Sequence, residues 1–253
     1  MTNQTQKRDL FGALHVPGKP VILYNVWDPG SARAVAEAGA KAVATGSHPV
    51  ANALGMEDGQ QVPLGLVLEN ARRIVEAVDL PVSIDFETGY GERAEEVGRA
   101  CAALWETGAV GINLEDQVIG TERVRPIEEQ AGRVAAAAES GLWVNARTDL
   151  FIKARVAGQS LDDPALVNQA LERARAYADA GAGSFFAPAL ADEKLIARLC
   201  EASPLPVNII SLPSTPSTAE MARLGVARIS YGPAPWRAAM AFLKEQAARA
   251  FAA

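Results

Sequence analysis

The amino-acid sequence predicts a single α/β domain, a (β/α)8 barrel of the TIM type that spans residues 1–253 and ends in a long C-terminal helix. Three observations predict this fold class. Eight apolar runs of strand length recur along the chain, segments with helical spacing separate them, and 253 residues is the typical size of one complete barrel. Continuous apolar strands that alternate with helices are typical of a parallel sheet covered on both faces.

The predicted strands are rich in β-branched and other apolar residues. In chain order they cover residues 21–27, 41–46, 82–87, 111–116, 143–148, 184–188, 207–211 and 227–232. The clearest helical segments cover residues 66–78, 93–107, 165–180 and 193–201, and the final helix covers residues 235–253. Each helical segment lies between two predicted strands, as a barrel requires.

A glycine stands at five places where a predicted helix gives way to the next strand. These are Gly39, Gly108, Gly141, Gly181 and Gly225. Glycine just past a helix is a common stop because it adopts the left-handed conformation at little cost. The five joints favour a closed barrel over an open doubly wound sheet, and no linker or low-complexity stretch divides the chain.

The composition narrows the class of partner. The formal charge of −6 argues against a nucleic-acid-binding surface, and no apolar stretch approaches the roughly 20 residues that cross a bilayer. The N-terminal stretch has no apolar signal core, and the two cysteines, Cys101 and Cys200, fall within helical patterns. We therefore expect a cytoplasmic protein without a disulfide, and neither a nucleic acid nor a membrane as its partner.

Two acidic pairs end consecutive predicted strands. Asp85 and Glu87 are two positions apart, so a strand would point both carboxylates to the same side, and Glu115 and Asp116 end the next run. Adjacent anions repel each other unless a cation or a shared proton compensates, and a divalent metal is the usual cation. The alternative is that these are solvated strand-end acids or helix caps. The pattern favours a metal or acid–base site.

In a barrel of this type, the C-terminal ends of the strands form one mouth, where active sites lie. Besides the acids, this rule places at the mouth Trp27, Asp28, Thr45, Gly46, Ser47, His48, Arg147, Asn208 and Tyr231. Arg147 suits either an ion pair with the acids or a clamp on a substrate carboxylate. The turn around Gly46 suits backbone contacts to an anion. No hydrolase elbow, phosphate loop or zinc-type spacing occurs.

Several segments together resemble the isocitrate lyase/phosphoenolpyruvate mutase superfamily over most of the chain. They are Trp27-Asp28-Pro29-Gly30-Ser31-Ala32, Thr45-Gly46-Ser47, Gly55-Met56-Glu57-Asp58, Asp85-Phe86-Glu87-Thr88-Gly89-Tyr90-Gly91, Gly111-Ile112-Asn113-Leu114-Glu115-Asp116-Gln117 and Ala146-Arg147-Thr148-Asp149. The resemblance implies a Mg²⁺-dependent enzyme on a (β/α)8 barrel, with Mn²⁺ as an alternative ion. It also implies a homo-oligomer, a dimer or tetramer, whose subunits exchange the helix over residues 235–253.

The resemblance also implies roles for individual residues. Metal ligands would be Asp85, Glu87 and Glu115; catalytic roles would fall to Arg147, Asp58 and Glu115; and substrate would contact Trp27, Asp28, Thr45, Gly46, Ser47, Arg147 and the mouth residue Asn208. Glu87 stands where the family usually has Asp. The general base stays open between Tyr90, His48 and a metal-bound water.

The segment over residues 118–126 departs from the family. Its lyases carry a Lys-Lys/Arg-Cys-Gly-His loop there and its mutases a Lys-x-Asn-Ser pattern, whereas this chain has neither. The departure argues against isocitrate or methylisocitrate lyase activity and against phosphonopyruvate formation. We expect residues 118–125 and 212–218 to line the pocket for the tail of the substrate.

The sequence therefore predicts a Mg²⁺-dependent lyase-type enzyme acting on a small 2-oxo or 2-hydroxy carboxylate. It would cleave a C–C bond through a pyruvate enolate, by oxaloacetate-like decarboxylation or a retro-aldol reaction. Phosphonomutase-like or phosphonate hydrolase P–C chemistry is one alternative, and a non-catalytic metabolite-binding barrel is another. An unrelated metal-dependent aldolase barrel would share the acids but not the ordered run of matching segments.

Overall fold

The computed structural model describes residues 3–252, in which eight parallel strands form one sheet. The strands are Val21–Leu23 (β1), Val43–Ala44 (β2), Val82–Asp85 (β3), Gly111–Glu115 (β4), Trp143–Arg147 (β5), Ser184–Phe186 (β6), Val207–Ile210 (β7) and Arg228–Ser230 (β8). Their order across the sheet is β1-β8-β7-β6-β5-β4-β3-β2. A parallel bridge between Val26 and Thr45 joins the two edges just beyond β1 and β2, so the barrel is nearly closed. The predicted fold class is confirmed.

Helices separate the strands and complete the outer layer. They are Gln4–Ala13 (α1), Pro29–Glu37 (α2), Ser47–Ala53 (α3), Leu64–Ala77 (α4), Ala94–Trp105 (α5), Ile127–Ala138 (α6), Leu150–Val156 (α7), Pro164–Asp179 (α8), Glu193–Ala202 (α9), Thr218–Arg223 (α10) and Ala234–Phe251 (α11). The long C-terminal helix is confirmed as α11, although Ala253, the end of its predicted range, lies outside the described residues. None of the described helices is long and apolar enough to cross a membrane.

Each strand ends one to four residues before the end of its predicted run. The apolar pattern continues past the last ladder hydrogen bond because the first loop residues are still buried; Phe86, for example, has no exposed surface. The loops that start there carry part of the site. Buried residues thus continue along the chain beyond the last residue that is hydrogen-bonded in the β-sheet.

The interior of the barrel is apolar at the N-terminal ends of the strands. Phe11 of α1 closes this end and packs with a small cluster that consists of Val21, Leu23, Ala42, Ala44 and Val110, together with Leu14 and Trp143. The Trp143 ring fits there because Gly12 has no side chain; a Cβ at Gly12 would lie 2.5 Å from the ring. A larger apolar cluster fills the space between the strands and the outer helices.

Nearer the mouth, the barrel interior becomes polar. Asn145 donates to the side-chain oxygens of Asn113 at 2.8 Å and Asn208 at 3.0 Å, and it accepts from Ser184 Oγ at 2.8 Å. These four side chains lie on neighbouring strands and are buried. A buried amide network is stable only when its members are hydrogen-bonded, and this one provides a fixed polar floor beneath the mouth.

Candidate functional site

A cavity of about 320 Å³ opens at the C-terminal ends of the strands. Its charged lining residues are Asp58, Asp85, Arg147 and Arg155, its polar ones include Asn25, Ser47, His48, Asn113 and Ser230, and its apolar ones include Ile152, Phe186, Pro188 and Ile210. This size and mixture suit a small polar ligand. The mouth predicted from the strand ends is therefore a real concavity with both signs of charge.

Asp85, the last residue of β3, is held at this cavity by groups from both neighbouring strands. Its Oδ2 accepts from the backbone N–H of Ser47 at 3.0 Å, and its Oδ1 accepts from Asn113 Nδ2 at 3.2 Å. The backbone N–H of Asp85 donates to Thr45 Oγ1 at 2.9 Å. Each carboxylate oxygen thus has one hydrogen bond and retains a lone pair for a ligand.

The turn after β3 holds Glu87 in an uncommon backbone conformation. Glu87 has a φ of 50°, and the two residues that contact its carboxylate, Gln60 and Tyr90, have φ values of 62° and 55°. Left-handed backbone at a residue other than glycine is unfavourable by about 1–3 kcal/mol and is concentrated at functional sites. The strand alternation that predicted the direction of Glu87 does not apply here, because β3 ends at Asp85.

Three carboxylates lie beside the cavity, of which Glu87 is buried and Asp58 is exposed. Burial and, to a lesser extent, the negative charges of Asp85 and Asp58 together raise the pKa of Glu87 to about 7. Among the residues that the structure describes, no lysine or arginine forms an ion pair with any of the three. Arg147 and Arg228 act on the charge of Asp85 from a distance, without forming an ion pair with it.

Glu115 and Arg147 are partners across the β4–β5 ladder and form an ion pair instead of facing the ligand separately. Arg147 Nη1 lies 2.7 Å from Glu115 Oε2, and Arg147 Nη2 lies 2.8 Å from Asp149 Oδ1. Burial raises the pKa of Glu115, and the Arg147 guanidinium opposes that shift. Burial alone would lower the pKa of Arg147, but Asp149 and Glu115 raise it above its usual range.

Asp116 points away from the site although it follows Glu115 directly. Its Oδ2 accepts from Arg173 Nη1 and from the Tyr177 hydroxyl, both at 3.0 Å, and its Oδ1 accepts from the backbone N–H of Asp149 at 2.8 Å. Burial raises its pKa to about 6, and Arg173 opposes the shift. Adjacent strand residues face opposite sides, so this acidic pair divides between the barrel interior and the helix layer.

Trp27 and Asp28 do not line the mouth cavity. They line a different cavity of about 320 Å³, next to α3 and α4. The Trp27 ring packs on Trp236 of α11 with 5.0 Å between centroids, and Asp28 caps α2 by accepting from the Ser31 N–H at 2.7 Å. Since β1 ends at Leu23, the chain has already left the barrel rim at Trp27.

The remaining predicted binding residues lie at or under the cavity. Gly46 and Ser47 line it, but their backbone N–H groups are already bonded, to Val26 O at 3.2 Å and to Asp85. An anion here would meet the Ser47 hydroxyl rather than those N–H groups. Thr45 lines a small neighbouring cavity, and Asn208 belongs to the interior amide network.

Sequence reasoning missed the wall opposite the acids. Ile152 and Arg155 of α7 line it, with Phe186, Pro188 and Ile210, whereas the loop over residues 118–125 and the segment 212–218 do not contribute. The strand positions could have been found, because Phe186 and Ile210 share the inward alternation of Ser184 and Asn208. Arg155 gave no signal, since a short helix after a strand carries no periodicity that points to the mouth.

The donor set at the mouth suits Mg²⁺, which prefers carboxylate oxygens and keeps several waters. Asp85 has free lone pairs, Asp58 lies on the same cavity, and an enclosed space of about 20 Å³, room for about one water, adjoins Asp85 and Glu87. Across the described residues, no three acidic, histidine or cysteine side chains are close enough to hold an ion by themselves. Glu115 suits an outer position, because its oxygens already accept from Arg147 and Gln117.

Comparison with known proteins agrees with the fold and the motifs. The family described as phosphoenolpyruvate phosphomutase matches residues 11–251. The 2-methylisocitrate lyase of Escherichia coli K12 is 30% identical over 251 residues, covering 89% of this chain and 81% of the lyase. A crystal structure of a candidate phosphonomutase from Burkholderia cenocepacia J2315 is 46% identical, with a TM-score of 0.93 over 98% of this chain and 100% of that one.

A phosphonopyruvate hydrolase solved with oxalate and Mg²⁺ has a TM-score of 0.82 and 23% identity, covering 96% of this chain and 86% of the hydrolase. At that identity the likeness concerns the fold alone. The family match over nearly the whole chain and the 30% identity to the 2-methylisocitrate lyase show the family as well as the fold. The chain belongs to the phosphoenolpyruvate mutase/isocitrate lyase superfamily, whose members include lyases, mutases and hydrolases.

Proposed function

We propose that this protein is a Mg²⁺-dependent lyase that cleaves a C–C bond next to the carboxylate of a small 2-oxo or 2-hydroxy acid. The observation that carries the proposal is the group of three carboxylates, Asp58, Asp85 and Glu87, which lie beside the cavity and, in the part of the chain that the structure describes, form no ion pair with a lysine or arginine. A bound divalent cation would supply positive charge to balance these carboxylates. The Mg²⁺ and oxalate bound by the phosphonopyruvate hydrolase support the same ion and a carboxylate ligand here.

Asp85 would hold the ion directly, with Asp58 and Glu87 contacting its waters. The bound ion would act as a Lewis acid, stabilising the negative charge that develops on the 2-oxo group as the bond breaks. The protein residues would orient the substrate: Ser47 would contact its carboxylate end, Arg147 would hold the architecture of the mouth, and Phe186 and Pro188 would limit the access of water. His48 also lines the cavity, and it remains one of the options for the general base, with Tyr90 and a metal-bound water.

The direct test follows substrate conversion by proton NMR in wild-type protein, with oxaloacetate and 2-methylmalate-like acids, and with Mg²⁺ or EDTA. We expect conversion that EDTA abolishes. Asp85→Ala should lose both this turnover and the rise in Tm that Mg²⁺ plus oxalate produces, while its own Tm without metal stays near that of the wild type. Undiminished turnover by Asp85→Ala would refute the proposed role of Asp85.

The substrate that fits the cavity best is a dicarboxylate. Arg155 lines the same cavity as Asp85 and makes no ion pair with the residues described, so it is free to bind a second carboxylate. Arg155→Gln should raise KM for a dicarboxylate about 10-fold, since a charge-assisted hydrogen bond contributes about 1.5–3 kcal/mol. The Tm rise with oxalate, too short to span the cavity, should persist.

The matched control for Arg155 is Arg99→Gln, which removes an exposed arginine on α5 outside the mouth cavity. Its KM should equal that of the wild type. Equal KM values for the Arg155 and Arg99 variants would show that the second carboxylate binds elsewhere.

P–C bond chemistry is the second candidate activity, favoured by the 46% identity to the candidate phosphonomutase. Phosphorus NMR of phosphonopyruvate incubated with the protein distinguishes it from C–C cleavage. The departure over residues 118–126 argues against phosphonopyruvate formation, and the missing cysteine favours those C–C reactions that need little beyond metal and carboxylate binding. A Tm rise with Mg²⁺ and oxalate but no turnover of any compound would indicate a metabolite-binding barrel.

We also propose a homo-oligomer, a dimer or tetramer. Helix α11 exposes apolar side chains that a monomer would leave in water: Phe242 is 64% exposed, Leu243 60% and Phe251 88%. Sedimentation of the wild-type protein should give a mass of two or four chains, whereas a concentration-independent monomer would contradict this assignment.

A further inference from the structure

An arginine of β8 lies inside the barrel, below the mouth. Arg228 of β8 has no exposed surface, and Ser230, two residues on and therefore on the same side of the strand, lines the cavity. The Arg228 guanidinium lies 5.9 Å from the centre of the Phe11 ring, which closes the bottom of the barrel. Its one hydrogen bond to another side chain runs from Nη2 to Asn113 Oδ1, at 2.9 Å, while Nε and Nη1 have no protein partner.

We expect this buried charge to contribute little to the stability of the fold. Burial lowers the pKa of Arg228 to about 9, so it remains a cation at neutral pH, yet no carboxylate touches it. Taking a charge out of water without a paired ion is strongly unfavourable, and an apolar side chain of similar volume is often neutral or stabilising in such a place. A role other than stability would explain the arginine.

The position of Arg228 links it to the proposed ligand residue. Arg228 and Asn145 both donate to Asn113 Oδ1, which forces the Asn113 amide to turn its Nδ2 toward Asp85 Oδ1, 3.2 Å away. Asn113 is also the partner of Asp85 across the β3–β4 ladder. The charge of Asp85 in turn favours the charged state of Arg228. One chain of contacts thus joins the buried cation to the carboxylate at the mouth.

We propose that Arg228 is a positioning residue: acting through Asn113, it fixes the Asp85 carboxylate in its ligand-binding orientation. The effect on ligand binding rests on the proposed function, in which Asp85 holds the metal. The path of hydrogen bonds from Arg228 through Asn113 to Asp85 does not, because it consists of protein side chains alone.

The first experiment compares Arg228→Met with wild type in two measurements. The Tm in EDTA should be unchanged or higher, because an unpaired buried charge has been removed. The affinity for Mg²⁺ measured in the presence of oxalate should fall about 10–100-fold, as is usual when a residue that orients a metal ligand is lost. A purely structural role predicts the reverse, a lower Tm with unchanged affinity, and that result would overturn the proposal.

Arg173→Met is the matched control, because Arg173 is also buried but pairs with Asp116 at 3.0 Å. Its Tm should fall, since Asp116 is left as an unpaired buried charge. If the Tm falls in the Arg173 variant but not in the Arg228 variant, the effect at Arg228 is specific to that position. It is then not a general result of removing a buried guanidinium.

A double-mutant cycle of Arg228→Met and Asp85→Asn in EDTA tests the coupling between these two residues, and it requires neither metal nor activity. We expect non-additive Tm changes, with Asp85→Asn less harmful in the Arg228→Met background, because the cation that favours the carboxylate is gone. Additive changes would overturn the proposal. Non-additivity in a protein that shows no response to Mg²⁺ and oxalate would refute the proposed function and leave the positioning contact intact.

Discussion

Arg147→Met is expected to lower the free energy of unfolding by about 3–5 kcal/mol, the loss typical of breaking a buried ion pair by removing one partner. Arg147 lies between Glu115 at 2.7 Å and Asp149 at 2.8 Å, and both carboxylates are almost fully buried. Without the guanidinium, two neighbouring anions would remain in the interior. Urea denaturation at pH 7.5 in EDTA measures this loss.

Arg155→Met is the control for that variant, because Arg155 lines the same cavity but is exposed and forms no ion pair among the described residues. Its stability should stay within about 0.5 kcal/mol of wild type, as is usual for surface substitutions. If Arg147→Met fails to fold, adding Glu115→Gln should restore part of the stability by removing one buried charge. Equal stability of the Arg147 and Arg155 variants would contradict the ion-pair assignment.

The outcome matters for the role of Arg147 in binding. A guanidinium held by two carboxylates has most of its donors engaged: Nε also bonds to Asp149 Oδ1, at 2.9 Å. Such a group fixes the architecture of the mouth and adds little net positive charge to it. Arg155 is then the group whose charge a substrate carboxylate meets first.

Glu87→Gln is expected to stabilise the metal-free protein at pH 8 by about 3 kcal/mol, with almost no effect near pH 4. The folded-state pKa of Glu87 is raised from 4.5 to about 7, chiefly by burial and then by Asp85 and Asp58. The folded protein therefore retains a proton that the unfolded chain has lost, so the stability of the wild type falls as the pH rises from about 4.5 to 7. Glutamine removes that loss and can still accept from Gln60.

Urea denaturation of wild type and Glu87→Gln between pH 4 and 8, in EDTA, measures the difference directly. Glu57→Gln, which changes an exposed carboxylate in a neighbouring loop, should track the wild type. Added Mg²⁺ should reverse the advantage of glutamine, because a bound cation stabilises the ionised cluster. A stability difference that does not vary with pH would show that Glu87 is not protonated in the folded state.

Local patterns in the sequence determined the fold class and the position of the mouth. Eight apolar runs separated by helices predicted the barrel, and the acids at the ends of two runs predicted where a charged mouth would lie. These features follow from side-chain alternation and from the parallel order of the strands, which short stretches of chain encode. The ordered motifs also indicated the superfamily.

Only the tertiary structure decided how the polar groups pair. Register across the ladder sets Glu115 opposite Arg147 and Asp85 opposite Asn113, and no local pattern contains that register. The point at which each strand leaves the ladder moved Trp27 to a different cavity and placed Glu87 in a left-handed turn. The alternation of β8 turned Arg228 inward beneath Asp85, because partners far apart in the chain meet only when the barrel closes.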